Sequence, residues 1–394
     1  MAKRKKIVIA FDPGFDGAKV SINEKLITDI PFVVKRLFNG NEVDSFAIKQ
    51  DGDNYILYEK NGARYVVGSF AKKMLQHRGK TSTDRGNLDA FYKLEGRFAS
   101  DEFRAGFDAI VGWLLIKYEE LTQNDEKPFR CAELSNYDIS IGVALPHDKM
   151  DKIWNESVEP FLKGEHKFSL QVGAREMQYF DIKYSTCQYC SQAYCALLNY
   201  VAELDGELRY DMESIAPATV ILAGYKTLER FQFLQGGIIS TGQDNNASNE
   251  QFAMFNVNSD VVNAIQEKYG SCQFTEYEIE SFLANGKESV FMKNSAAEDA
   301  FEVPIAEFHE EALKKRCAEM LDDTKANFDL LDTKLILVAG GTGAKYYKFI
   351  KEWCDNRNYL KGKSVLETET VDGVEYGPVF AVVLGLQKQL MLEG

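Results

Sequence analysis

Residues 7 to 22, IVIAFDPGFDGAKVSI, are two short apolar runs joined by a tight turn, a pattern that predicts a hairpin of two strands. A β-leaning piece, DIPFVVKRLF, follows within 27–49. A second hairpin is predicted at NYILYEKNGARYVVGSFA, where Asn61-Gly62 is a two-residue turn signal between strand formers. From about 87 to 121, Phe91, Leu94, Phe98, Phe103, Phe107, Ile110 and Leu114 recur mostly at steps of three and four, which predicts helix. Ser100-Asp101-Glu102 divides that stretch, with Ser100 as the second N-cap. Residues 137–146 alternate and end in proline, as a strand does. MDKIWNESVEPFL is expected to be helical, HKFSLQV and MQYFDIKYSTC to be strands, and 188–204 to be a helix.

The latter part opens with another strand–turn–strand unit at about 219–239. Helices follow at NSDVVNAIQEKYG, at EYEIESFLANG and over about 305–331. KLILVAGGTGAKYYKFIKEWCDN has the order strand, glycine turn, helix, and GPVFAVVLGLQKQL closes as a helix. No low-complexity linker interrupts the chain. A strand–glycine–strand unit therefore occurs twice, each time followed by further strands and then helices. That order suggests an internal duplication with a cleft between the halves.

Three turns carry candidate chemistry. In the first, Gly14 and Gly17 allow φ > 0 or close approach of a ligand, and successive amides there form an anion-binding nest. Lys19 adds a cation, and Asp12 could hold Mg²⁺ through its waters. The competing expectation is an ordinary hairpin in which Asp12 and Asp16 only favour the turn. In the second, LAGYKTLERF, Gly224 and Thr227 sit between β-prone runs, and a plain hairpin competes here too. In the third, LVAGGTGAKYY, Gly340, Gly341 and Gly343 let a flat ring or a phosphate pack against backbone. Its likeness to a dinucleotide fingerprint is superficial, since it lies outside an N-terminal βαβ unit.

Other motifs count for less. Cys187 and Cys190, with Cys195 nearby, lack a fourth ligand at any usual zinc spacing, so buried inert thiols are expected. His77, His147, His166 and His309 are scattered, and no nucleophile-elbow or zinc-protease motif occurs. The net charge of −14 argues against nucleic acid binding over the whole surface. The basic run Lys3-Arg4-Lys5-Lys6 is expected to be a solvated strand entry. With 394 residues, 45% hydrophobic and 27% charged, two or more domains are expected. No signal-peptide pattern or membrane-length apolar segment is visible, so reducing cytosol is the expected compartment.

With three such turns in this order, the chain resembles the actin-like ATPase superfamily, which includes actin, sugar kinases and heat-shock chaperone ATPases. Within it, the likeness is to the bacterial ParM-type plasmid-segregation actins. The run Asp12-Pro13-Gly14-Phe15-Asp16-Gly17-Ala18-Lys19 is similar to the family's first phosphate loop. Gly224-Tyr225-Lys226-Thr227 falls where the second belongs, and Gly340-Gly341-Thr342-Gly343-Ala344 matches the adenosine loop. RYVVGSFA and GVALPHDKM also look like ParM-type segments.

The resemblance implies an α/β, two-domain actin-like (ribonuclease H-like, duplicated) fold with a nucleotide cleft between lobes. Domain I would be 1–187 plus 377–394, with an inserted subdomain at about 27–80, and domain II would be 188–376. It implies binding of ATP or GTP with Mg²⁺, Asp12 holding the metal through water, and an ATPase coupled to polymerisation. A glutamine at a strand–helix junction would position the attacking water: Gln188, or Gln192 one turn later. The expected partners are further copies of the chain in a filament and a small DNA-binding adaptor on plasmid DNA, with no membrane and no direct nucleic acid contact. One departure stands out: Leu222 occupies the position of the second loop's usual aspartate, and Glu229 rather than Asp closes the loop. A small-molecule kinase of the same superfamily and a nucleotide-binding scaffold with little turnover are the other expectations.

Overall fold

A computed structural model describes residues 4–15, 17–37, 52–78, 96–242, 248–293 and 300–392, with the backbone alone at 75–78. Asp16, Phe91 and Leu94 lie outside the described residues, as does the His77 side chain. β1 (Lys5–Pro13) is buried from Ile7 to its end, the signature of a central strand covered on both faces. It turns antiparallel into β2 (Ala18–Ile22), which turns into β3 (Leu26–Ile30). The chain then forms β4 (Val34–Leu37), β5 (Ile56–Lys60), β6 (Ala63–Val67) and helix α1 (Ser69–Arg78). Asn61 and Gly62 both take positive φ, 51° and 77°, as the two-residue hairpin between β5 and β6 requires.

Helix α2 (Asp101–Thr122) starts at Ser100, whose hydroxyl accepts from the Phe103 amide as expected. Its inner face packs on β1, with the Phe11 and Phe107 ring centroids 4.4 Å apart. β7 (Tyr137–Leu145) then lies parallel to β1. A helical stretch over 150–162 with a π-turn at Trp154–Val158 leads to β8 (His166–Val172), β9 (Gln178–Ile182) and β10 (Tyr184–Ser191). β10 lies parallel to β7, which completes a sheet in the order β10-β7-β1-β2-β3. A separate sheet, β4-β6-β5-β8-β9, draws on strands from 34–67 and from 166–182.

β10 runs four residues further than the pattern predicts. Pairing to β7 holds Gln188 opposite Gly142 and Ser191 opposite Leu145, and only then does α3 (Gln192–Val201) begin, capped by the Ser191 hydroxyl. The predicted helix start at Gln188 is therefore corrected to Gln192. A domain boundary between 187 and 188 would cut a strand of the first sheet.

The second half repeats the first. β11 (Ala218–Ala223), β12 (Leu228–Phe233) and β13 (Ile239–Ser240) form an antiparallel meander, and β14 (Ser248–Asn249) also pairs with β12. Next come α4 (Met254–Tyr269), α5 (Glu276–Ala284), the hairpin β15 (Val290–Lys293) with β16 (Ala300–Val303), and α6 (Ile305–Asn327). β17 (Leu335–Ala339), α7 (Gly341–Asp355) and β18 (Ser364–Leu366) add the two parallel strands. The sheet order β13-β12-β11-β17-β18 matches that of the first half strand for strand and sense for sense. Two antiparallel strands, β19 (Glu369–Val371) and β20 (Val374–Tyr376), precede a turn at Pro378–Phe380 and helix α8 (Ala381–Leu392).

α3 and α8 lie between the two sheets. One hydrophobic core joins Val8 and Ala10 of β1, Leu197 and Val201 of α3, Val220 and Leu222 of β11, and Val383 and Leu386 of α8. The two helices touch backbone to backbone: a Cβ on Gly385 would stand 1.7 Å from the Cys195 carbonyl oxygen. Gly385→Ala must force the helices apart and is expected to cost about 1–3 kcal/mol. A lowered urea midpoint at unchanged m-value checks this.

Candidate functional site

The β1–β2 turn brings Asp12 opposite Lys19 in the ladder. The Gly14 amide donates to the Asp12 carbonyl at 2.9 Å, and a side chain at Gly14 would lie 2.6 Å from the Gly17 carbonyl oxygen. Only glycine fits there. In the β11–β12 turn, the Gly224 amide donates to the Thr227 carbonyl at 2.8 Å. The Gly224 carbonyl accepts from the Thr342 hydroxyl at 2.7 Å, which fastens the third turn to the second. Gly340 has φ 85°, and a Cβ there would meet the Ala223 carbonyl oxygen at 2.3 Å, so this close crossing also demands glycine.

All three turns line one cleft. Asp12, Gly14, Phe15 and Lys19 line it from the first half. Gly224, Tyr225 and Thr227 line it from the second turn, and Gly340 and Gly341 from the third. Gly17, Lys226, Thr342 and Gly343 support the turns without lining the cleft. Lys226 lies over the Phe255 ring, and Gly343 would place a Cβ 3.3 Å from Val338. Gln188, inside β10, does not line the cleft. Gln192, the alternative, does, and its amide donates to the Asp12 carboxylate at 2.7 Å.

Two buried carboxylates face this space. Asp12 is 5% exposed; burial raises its pKa, while Lys19, the Gln192 hydrogen bond and Arg97 pull it back. Glu229 on β12 is 1% exposed, and burial pushes it up to about 8 against the pull of two backbone amides. Those amides are His147 N beyond β7 and Ala193 N in the first turn of α3, each at 3.3 Å. One side chain of the second half thus ties down two segments of the first. Leu222 lines the same cleft.

Arg97 has no counterpart in the sequence reading. It is buried, donates to the Gly14 carbonyl at 2.9 Å and sits 4.5 Å from the Phe15 ring centre. It braces the first turn from a segment 83 residues away. No local pattern around it signals that contact.

Along the first turn of α7, a second hollow of about 610 Å³ lies between α5, α6 and α7. Lys345 bridges to Glu280 across it at 3.0 Å, and Asn258 holds the other Glu280 oxygen at 2.9 Å. His309, against the Met254 sulfur, is pushed down to about 4 by burial and is neutral at physiological pH.

The duplicated sheets and the cleft between them define an actin-like fold. The chain is similar to a 15-stranded ParM filament from Clostridium botulinum: TM-score 0.67, 16% identity, 99% of this chain and 100% of that one. It is similar to the actin-like protein Alp7A (0.64, 15%, 98% and 97%) and to Bacillus thuringiensis ParM with ATP (0.54, 12%, 99% and 99%). No protein-family profile matches the chain, and no curated protein matches it.

The raised pKa of Glu229 fixes a sign. Between its ordinary 4.5 and about 8, the folded protein keeps a proton that the unfolded chain has lost. Its contribution is full below 4.5 and is lost as pH rises through about 8. Urea unfolding from pH 6.5 to 8, above the range in which buried His309 opposes the trend, is expected to show stability falling, and Glu229→Gln is expected to flatten that slope. Glu367, also pushed up to about 8, keeps it from vanishing.

Proposed function

We propose that this cleft binds a nucleoside triphosphate, ATP or GTP, with Mg²⁺, and that its hydrolysis is coupled to assembly of the chain into filaments. The convergence of three glycine turns from two repeated halves on one cleft carries this reading. Amides of the first two turns would hold the phosphates, and Lys19 would neutralise their charge. Gly340 and Gly341 would lie against the nucleoside. The base would reach toward the hollow beside Lys345 and Glu280.

The residues suit a hydrated cation. Among the described residues no group of three His, Cys, Asp or Glu could hold a metal directly. Of the two buried carboxylates that line the cleft, Asp12 stands at the mouth of the phosphate turn, which fits Mg²⁺ kept by its waters and the phosphates. The ion supplies charge neutralisation and orientation. Gln192, held by Asp12, would aim a water at the γ-phosphate.

Support for assembly comes from fold likeness to a filament-forming protein. Head-to-tail contacts give an open filament where the rotation between successive copies does not close a ring. The filament would move plasmid DNA through a small DNA-binding adaptor, since a chain of net charge −14 suits an adaptor better than direct DNA contact. Leu222 in the cleft favours one second reading, a filament with slow turnover. The two lobes would correspond to the two repeated halves, with α8 returning to the first. Among the described residues no helix is long and apolar enough to cross a membrane.

Light scattering and pelleting with ATP or GTP and Mg²⁺, with phosphate release followed in parallel, test the proposal. Assembly with release supports the motor, assembly without release the scaffold, and a flat trace with both nucleotides overturns both. Lys19→Ala is expected to weaken nucleotide binding roughly 10- to 100-fold, the value of a charged hydrogen bond. Gln192→Ala is expected to slow phosphate release about 100-fold or more while binding changes little. Equilibrium binding and single-turnover assays separate the two.

A further inference from the structure

Arg97 is a buried cation in the wall of the cleft. It is 2% exposed and lines the same space as Asp12, Lys19 and Gln192. Its guanidinium carbon lies 4.5 Å from the Phe15 ring centre, 5.2 Å from that of Phe32 and 5.8 Å from that of Phe98. Aromatic faces hold a planar guanidinium in a way that a flexible ammonium does not match. The packing fixes the charge in place before any ligand arrives.

A chain of hydrogen bonds links this cation to the residue proposed to aim the attacking water. Arg97 Nη2 donates to the Gly14 carbonyl at 2.9 Å, and the Gly14 amide donates to the Asp12 carbonyl at 2.9 Å. Gln192 donates to the Asp12 carboxylate at 2.7 Å. Arg97 is also near enough to Asp12 to help hold its carboxyl ionised. Arg97, Asp12 and Gln192 therefore share one end of the cleft. Under the proposed function, that end receives the terminal phosphate.

Charge points the same way. Among the described residues lining the cleft, four are carboxylates or cations: Asp12, Glu229, Lys19 and Arg97. Burial keeps Glu229 protonated up to about pH 8, so Lys19 and Arg97 outweigh Asp12 at neutral pH. A positive pocket in a chain of net charge −14 suits a polyanion. A guanidinium carries five donors in a fixed fork, so one side chain can serve both the Gly14 carbonyl and a phosphate oxygen.

Resting on the reading that this cleft binds a nucleoside triphosphate, we propose that Arg97 is a catalytic residue whose guanidinium contacts the γ-phosphate and stabilises the charge that builds there during hydrolysis. In that step the water oxygen bonds to the γ-phosphorus. The bond to the β–γ bridging oxygen breaks, its electron pair stays with the diphosphate, and both water protons leave on inorganic phosphate. Charge spreads over the equatorial oxygens of the transferring group, and a cation already in place stabilises it without reorganising. The arginine is supplied by the chain itself, from a segment 83 residues beyond the turn it serves.

Arg97→Ala and Arg97→Lys test this, with urea unfolding to show that each is folded; if the alanine variant does not fold, the lysine variant carries the same comparison. Equilibrium binding is measured for ATP and GTP, for ADP and GDP, and for the diphosphates with aluminium fluoride, all with Mg²⁺. Arg97→Ala is expected to leave diphosphate affinity within about twofold and to weaken the triphosphate roughly 10- to 100-fold, the value of a charged hydrogen bond. The aluminium fluoride complex, which resembles the transferring group, is expected to lose more than the triphosphate. Single-turnover phosphate release is expected to fall about 10³-fold or more. Arg97→Lys, which keeps a cation without the fork, is expected to fall between wild type and alanine in each measurement. The binding comparison needs no turnover, so it holds equally for a filament that hydrolyses slowly. Equal losses of di- and triphosphate affinity would show an arginine that only braces the turn, and they overturn the proposal, as does wild-type behaviour of both variants. In either case triphosphate binding by the wild-type chain leaves the reading of the cleft standing. A wild-type chain that binds no nucleotide overturns both.

Discussion

The relative placement of the two halves depends on one backbone crossing, that of α8 over α3. Gly385 brings the helices to within a carbonyl's reach, and both are buried between the sheets. A helix pair this close leaves no slack in the core shared by β1, β11 and β17. Without it, the two sheets would have no common surface. The turns at Gly14, Gly224 and Gly340 would then not converge.

A second layer of contacts fixes the turns themselves. Thr342 fastens the third turn to the second, and Arg97 braces the first. Glu229 reaches from β12 to amides beyond β7 and at the start of α3. These bonds run from one half or segment to another, so several chain segments share the cleft. The electrostatics follow from the same geometry. Asp12 and Glu229 are buried carboxylates whose burial works against their charge, while Lys19 and Arg97 offset that cost at Asp12 alone.

Much of the fold was legible in the chain. Apolar runs at β1, β7, β11 and β17, the Asn61-Gly62 hairpin and the Ser100 cap are local features, and local propensity writes them into nearby residues. The repeat of the strand–glycine–strand unit pointed to an internal duplication, and the two sheets share one strand order. The junction at Gln188 was misplaced because a helical pattern of small and apolar residues competes with a strand there. Pairing with β7 decided for the strand through Ser191. That shift of four residues exchanged Gln188 for Gln192 in the cleft.

The sequence alone determined which turns could approach a phosphate or a ring, because glycine at 14, 224 and 340 is a property of each position. It also determined that a lysine and an aspartate would share the first turn. Only the tertiary structure decided that Gln192 meets Asp12, that Arg97 braces Gly14, and that Glu229 is buried beside them. Each of those contacts joins residues 36 or more apart in the chain. No local periodicity records them, since they arise from how two sheets close on a shared pair of helices.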